Sequence, residues 1–247
     1  MTHKAAAGAW LARVRRAAGL TQTDTAWRAG ITVRAYQAIE AGRHPTPKTL
    51  QAIATALGLD LACRRHLDRL IHPPRTAPAP PPTEHLRQLL AHINAPAWVV
   101  DPAWTVLAAS RSAPVMPANL ALWAIDAAAK FDDWHRVSAD LVARTRSTLS
   151  WYETPGEPVP AVIAAVRAAS HAAELAWSAG HVADVPHREV LAFEGRPLTL
   201  HWATLGNDPS ARLVVVTGAD PRHASGGTRS PATQTAAPCP PSPATAP

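Results

Sequence analysis

Residues 19–42 read GLTQTDTAWRAGITVRAYQAIEAG, and their reading decides the fold of the first third of the chain. Two short helical patterns meet across a tight turn. Thr21 has the oxygen of an N-cap, and Asp24 stands three residues on, as in a short capping box. The first helix is expected to run to about Ala29. Gly30 makes the turn, because glycine adopts a left-handed backbone at little cost. Thr32 caps a second helix that ends near Gly42. On it, Tyr36, Ile39 and Glu40 share one face by 3.6-residue spacing, and Arg34, Gln37, Ala38 and Ala41 share the other. An inner face backed by an outward arginine and glutamine suits a helix lying in a DNA major groove. An ordinary helical hairpin with a solvated outer face would show the same spacing. The flanking residues decide for the groove.

Helices are predicted on both sides. Residues 5–18 carry Leu11, Val14 and Ala18 on one stripe and Arg13, Arg15 and Arg16 on the remaining face. After Arg43–Pro47, Thr46 caps a helix with Leu50, Ile53, Ala54 and Leu57 at i, i+3, i+4 and i+7, and Pro47 suits its first turn. Asp60 caps a fifth helix with Leu61, Leu67, Leu70 and Ile71. Charge is concentrated here. Residues 1–72 hold eleven Lys and Arg against four Asp and Glu, while the whole chain is +6. A local basic field is the footprint of a polyanion binder.

Residues 8–59 resemble the DNA-binding domain of lambda-type repressors, the XRE class. The resemblance rests on Leu11-x-x-x-Arg15, Gly19-Leu20-Thr21-Gln22, Ala26, Ala29-Gly30-Ile31-Thr32, Tyr36, Ile39-Glu40-Ala41-Gly42-Arg43, Pro47, Leu50, Ile53, Ala54 and Leu57-Gly58-Leu59. It implies an all-α, five-helix domain that binds double-stranded DNA. It implies that Val33, Arg34, Gln37 and Ala38 face the groove, and that Gln22 and Arg43 hold phosphates. Arg15 and Glu40 match a structural salt bridge of the family. Thr25 stands where the family usually has leucine.

Residues 73–82 read PPRTAPAPPP, a stiff extended spacer. A second region follows, at 83–218. Glu84–Ile93 is amphipathic. Ala97–Val100 and Trp104–Ala108 read as strands joined at Asp101-Pro102. Helices are expected at Asn119–Lys130, Asp133–Arg146, Val159–Ala169 and Ala172–Ala179. Strands return at Arg188–Phe193, Leu198–Ala203 and Leu213–Thr217. This is α+β material. Residues 219–247 are rich in Pro, Ala, Ser, Thr and Gly and are expected to be disordered.

Residues 84–218 resemble the MmyB-like ligand-binding domain found in many actinobacterial regulators. The matching stretches are Pro96–Asp101, Trp104–Ala109, Asn119-Leu120, Asp133-Trp134, Leu141-Val142-Ala143, Arg146, Ser170, Trp177, Val182 and Leu198-Thr199-Leu200. Ser110, Ala173 and Leu191-Ala192 depart from the family pattern. The resemblance implies a PAS-like fold holding a small, apolar, fatty acid-like ligand. Trp98, Trp104, Trp134 and Trp177 are the candidate pocket residues, and the same rings would serve as core.

The remaining features speak against other classes. The twelve histidines form no compact metal-ligand spacing. Cys63 and Cys239 form no Cys-x-x-Cys pair, and no disulfide between them is expected. No nucleophile elbow, phosphate loop or dinucleotide glycine pattern occurs, so neither an enzyme nor a cofactor is expected. No apolar run reaches the ~18–20 residues of a membrane span, and no signal peptide is evident. The expected protein is a cytoplasmic, homodimeric transcriptional regulator with no membrane partner. In the alternative, the second domain holds no ligand and serves dimerisation or another protein.

Overall fold

The computed structural model describes residues 3–72, 81–114, 117–149, 159–205 and 211–218. The expected tail at 219–247, and the spacer apart from Pro81 and Pro82, lie outside these residues.

The N-terminal region consists of α1 (His3–Ala17), α2 (Gln22–Arg28), α3 (Val33–Glu40), α4 (Pro47–Ala56) and α5 (Leu61–Ile71). The caps sit where the sequence places them. The Thr21 hydroxyl accepts from the Asp24 amide at 3.1 Å, and the Asp24 carboxylate accepts from the Thr21 amide at 3.0 Å. Thr32, Thr46 and Asp60 cap the next three helices. Satisfying the otherwise unpaired first-turn amides fixes each helix start. The core gathers Trp10, Leu11, Val14, Ala26, Tyr36, Ile39, Ile53, Leu57 and Leu67. Thr25 is fully buried beside it, and its hydroxyl donates to the Thr21 carbonyl at 3.0 Å. A leucine position can thus hold threonine without stranding a polar group. Gly8 brings α1 against α3. A methyl there would lie 2.2 Å from the Glu40 carbonyl oxygen.

The C-terminal region begins with α6 (Thr83–Ala91), β1 (Ala97–Val100) and β2 (Val106–Ala109). Then come α7 (Leu120–Asp126), α8 (Trp134–Leu149), α9 (Val159–Ala169) and α10 (His171–Ser178). It closes with β3 (Arg188–Phe193), β4 (Arg196–Thr204) and β5 (Arg212–Gly218). The five strands form one antiparallel sheet in the order β2-β1-β5-β4-β3. Ala97, Val99, Leu213 and Val215 face α6. Trp98, Val214, Trp202 and Leu200 face the other way, toward the layer of α8, α9 and α10.

Several expected elements differ in extent, two of them for a clear local reason. The strand expected from Trp104 starts at Val106, because Trp104 adopts a left-handed φ of 69°. It completes a turn in which the Asp101 carboxylate accepts from the Ala103 and Thr105 amides, each at 2.8 Å. The helix expected over Asn119–Lys130 stops at Asp126 and tightens into a short 3-10 turn at Ala128–Lys130. Cys63 is buried in α5; Cys239, and with it the expectation that the two cysteines form no disulfide, lies outside the described residues.

The two regions meet along α1 and α5. The Trp10 indole N–H donates to the Gly180 carbonyl at 3.0 Å, and Val182 joins the N-terminal core. Arg65 pairs with Asp184 at 3.3 Å, and Arg69 donates to Ser147 at 3.2 Å. His66 is 2% exposed, edge-on to Trp10 with centroids 5.1 Å apart. Burial pushes its imidazole well below the usual range, and Arg146 and Arg69 push it further. The unfolded chain takes up this proton near pH ~6.5, and the folded chain does not. The folded state is therefore fully favoured above that pH and loses stability below it, by up to ~1.4 kcal/mol per unit. We expect thermal unfolding at pH 5.5 to fall well below that at pH 7.5 (test conditions spanning the ~6.5 value). His66→Phe should shrink that difference; an unchanged difference would mean that other groups govern it.

Candidate DNA-binding face and ligand cavity

Arg34 and Gln37 stand exposed on α3. Val33 and Ala38 are half-buried between them and the core, and Val33 packs against that core. Arg43 is exposed just past the helix end, where its amide donates to the Ala38 carbonyl at 2.8 Å. Behind this face lies one polar cluster. Glu40 accepts from Arg15 Nε at 2.7 Å, from Arg15 Nη2 at 3.2 Å and from Gln22 Nε2 at 2.7 Å. Burial disfavours charge on Glu40. The bonds from Arg15 and Gln22 outweigh that and hold its carboxyl below the usual range. Gln22 also accepts from Gln37 at 3.3 Å. The side chain at the start of α2 is thus oriented by the helix that carries Arg34. The arrangement presents a fixed basic and amide surface, with the strong donors outermost.

A second site lies in the C-terminal region. A cavity of about 450 Å³ opens between the inner face of the sheet and α7 and α8, within the ~300–1,000 Å³ usual for small-molecule sites. Strand register builds its floor. Trp98, Val214 and Trp202 lie side by side across β1, β5 and β4, and Val216, Leu200 and Glu189 form the next row. Trp98 and Trp104 line the cavity, together with Trp123 and Trp202. Trp134 and Trp177 stand outside its lining. Trp134 packs on Phe131 with centroids 5.8 Å apart, and Trp177 lies under the Arg146 guanidinium at 3.9 Å. Trp202 could have been found from the alternation Leu198, Leu200, Trp202 on one strand face. Trp123 carries no such signal.

One end of the cavity is ionic. Arg144 Nη1 donates to Glu189 at 2.8 Å, and its Nη2 faces Asp140 at 3.9 Å. Arg136 reaches Asp140 at 3.1 Å and Glu189 at 3.5 Å. Two residues beyond Arg144 on α8, Arg146 points to the opposite side. It donates to the carbonyls of Ala176, Trp177 and His181. Burial pushes its guanidinium down to about 9, with Arg13 and Arg167 adding to the shift. So α8 lines the cavity at Val137, Leu141 and Arg144 and meets the N-terminal helices at Ser147.

Comparison with known families fits both sites. Residues 11–62 match the family described as Helix-turn-helix. Residues 82–229 match the MmyB-like transcription regulator ligand binding domain, and the chain belongs to that family. No curated protein matches the chain. Among the described residues, no helix is long and apolar enough to cross a membrane.

Proposed function

We propose that the chain is a cytoplasmic, sequence-specific regulator that binds its operator as a homodimer. A small, largely apolar, fatty acid-like ligand in a PAS-like C-terminal domain tunes that binding. The divisions are 1–72 for DNA, 73–82 for the spacer, 83–218 for the ligand and 219–247 for the tail. The observation that carries this reading is α8, which joins a cavity lined mainly by apolar side chains to the unit bearing Arg34 and Gln37.

In this reading Arg34 reads guanine, Gln37 offers its amide to a neighbouring base, and Val33 and Ala38 pack on thymine methyls. Gln22 and Arg43 hold phosphates and set the register. A ligand that prefers one placement of α8 shifts operator affinity by its differential affinity for the two placements. One α3 offers two strong hydrogen-bonding groups, so a single half-site gives modest specificity. Two half-sites about one helical turn apart multiply it.

Native mass spectrometry and sedimentation with an operator selected from random duplexes test the proposal. The expected species is a dimer carrying an extra small-molecule mass and protecting two related half-sites. A monomer on a single half-site overturns the dimer. An empty dimer that binds no apolar probe favours the alternative, a ligand-free dimerisation module.

A further inference from the structure

We infer that the cavity takes a fatty acid head-out, with the carboxylate on Arg196 at the mouth and the hydrocarbon tail running inward toward Trp202 and Trp98. This rests on the cavity being the ligand site. Among the residues lining it, Pro114, Glu194 and Arg196 are exposed. They mark where it opens to water. Charge is present there only at Glu194 and Arg196, on the turn between β3 and β4.

Strand alternation places Arg196 on the cavity side. Leu198, Leu200 and Trp202 line the cavity from β4, and side chains two residues apart on a strand share a face. Arg196 is the outermost member of that row. Its register partner Phe193 also lines the cavity and meets Phe131 edge-on, with centroids 5.0 Å apart. Six residues separate Arg196 from Trp202, or about 20 Å of strand. That length accommodates the extended chain of a medium-length acid. Between the two ends, Leu191 lies opposite Leu198, and Leu200 lies opposite Val216.

Charge decides which end of the ligand lies outermost. The lining holds two arginines, Arg144 and Arg196. Arg144 is buried and already met by Glu189 at 2.8 Å, with Asp140 at 3.9 Å. The Arg196 side chain has no carboxylate partner among the described residues. The acids beside it are engaged: Glu194 pairs with Lys130 at 3.0 Å, and the Asp132 carboxylate accepts from the Gly195 amide at 3.2 Å. A ligand carboxylate arriving at the mouth meets a guanidinium fork that matches its two oxygens. Its head stays hydrated, and burial of the tail supplies most of the affinity. The reverse orientation would bury the carboxylate among Trp98, Trp104 and Trp202, with the buried cation of the lining already paired. An unpaired buried charge is far more costly than a hydrated one.

The test uses the full chain with dodecanoic acid and dodecanol, and reads binding by tryptophan fluorescence at neutral pH. The acid is expected to bind about fivefold more tightly than the alcohol at low salt. That advantage should shrink as salt screens an exposed pair. Arg196→Gln should abolish it, and Arg196→Lys, which keeps the charge, should retain most of it. An acid advantage that survives Arg196→Gln, or none in the unsubstituted chain, overturns the inference and leaves the cavity as a ligand site. If neither probe binds, the cavity reading falls, and this inference with it. Orientation is read by bromine quenching in Trp123→Phe. Trp123 stacks on Phe193 at the mouth, with centroids 6.2 Å apart, so its removal leaves Trp98, Trp104 and Trp202 as the reporters in the lining. Dodecanoic acid brominated at its terminal carbon should quench more strongly than the acid brominated beside the carboxyl. The opposite order overturns the head-out orientation.

Discussion

Glu40→Ala is expected to destabilise the helix-turn-helix by about 3–5 kcal/mol, the range for breaking a buried ion pair from one side. The Arg15 and Glu40 side chains are only 11% and 8% exposed. Removing the carboxylate leaves the Arg15 guanidinium without its charged partner, though still donating to the Leu20 carbonyl at 2.9 Å. It also strands the Gln22 amide. The loss should appear in urea unfolding, and operator binding should weaken although no groove-facing side chain has changed. Glu40→Gln keeps an acceptor and loses the charge, so it should fall between. The pH dependence has a definite sign. The Glu40 carboxyl is held below its ordinary value, so its contribution is complete above ~4.3. It is lost as pH falls through the lowered folded value. A loss under about 1 kcal/mol for Glu40→Ala would show that water screens the pair as it does at a surface.

The second large effect is on specificity. Arg34→Ala should cost roughly 1–3 kcal/mol on the operator and little on random duplex. A guanidinium can bond guanine O6 and N7 together, and lysine cannot reproduce that geometry. Arg43 lies past the end of α3, beyond Gly42 at φ 103°, where a phosphate contact is expected. Arg43→Ala should weaken both duplexes about equally and lower the salt slope by about one unit. Isotherms for both variants on operator and scrambled DNA, over a range of salt, separate the roles. Equal losses on both duplexes for Arg34→Ala would remove it as a base reader.

The sequence revealed most where local chemistry decides. The caps at Thr21, Thr32, Thr46 and Asp60 are read directly, because a side-chain oxygen and the amide it satisfies lie three residues apart. The bounds of β1, α9 and β3 agree with expectation for a similar reason. Each is a clean apolar or alternating run between turn residues. Trp104 misled, because a left-handed tryptophan has no signature in periodicity. The choice among the cavity tryptophans needed the pairing of β4 with β5 and β1 with β5. Strand pairing between distant segments is not written in either strand alone. Trp10 and Gly180 are 170 residues apart, and no local pattern announces that contact.

Gly8 and Trp10 stand two residues apart on α1. One lets the backbone of α3 approach, and the other is held by Gly180. The contacts of α1 with the C-terminal region and with α3 therefore run through main chain and a tryptophan, and do not involve the outward side chain of Arg34. This separates two evolutionary demands. On the proposed reading, substitution at position 34 changes the DNA-facing surface while these packing contacts stay intact. Substitution at position 8 cannot be tolerated so easily, whatever operator is read. Drift among duplicated copies of such a gene should accordingly be fast on the outer face of α3 and slow along the inner edge of α1.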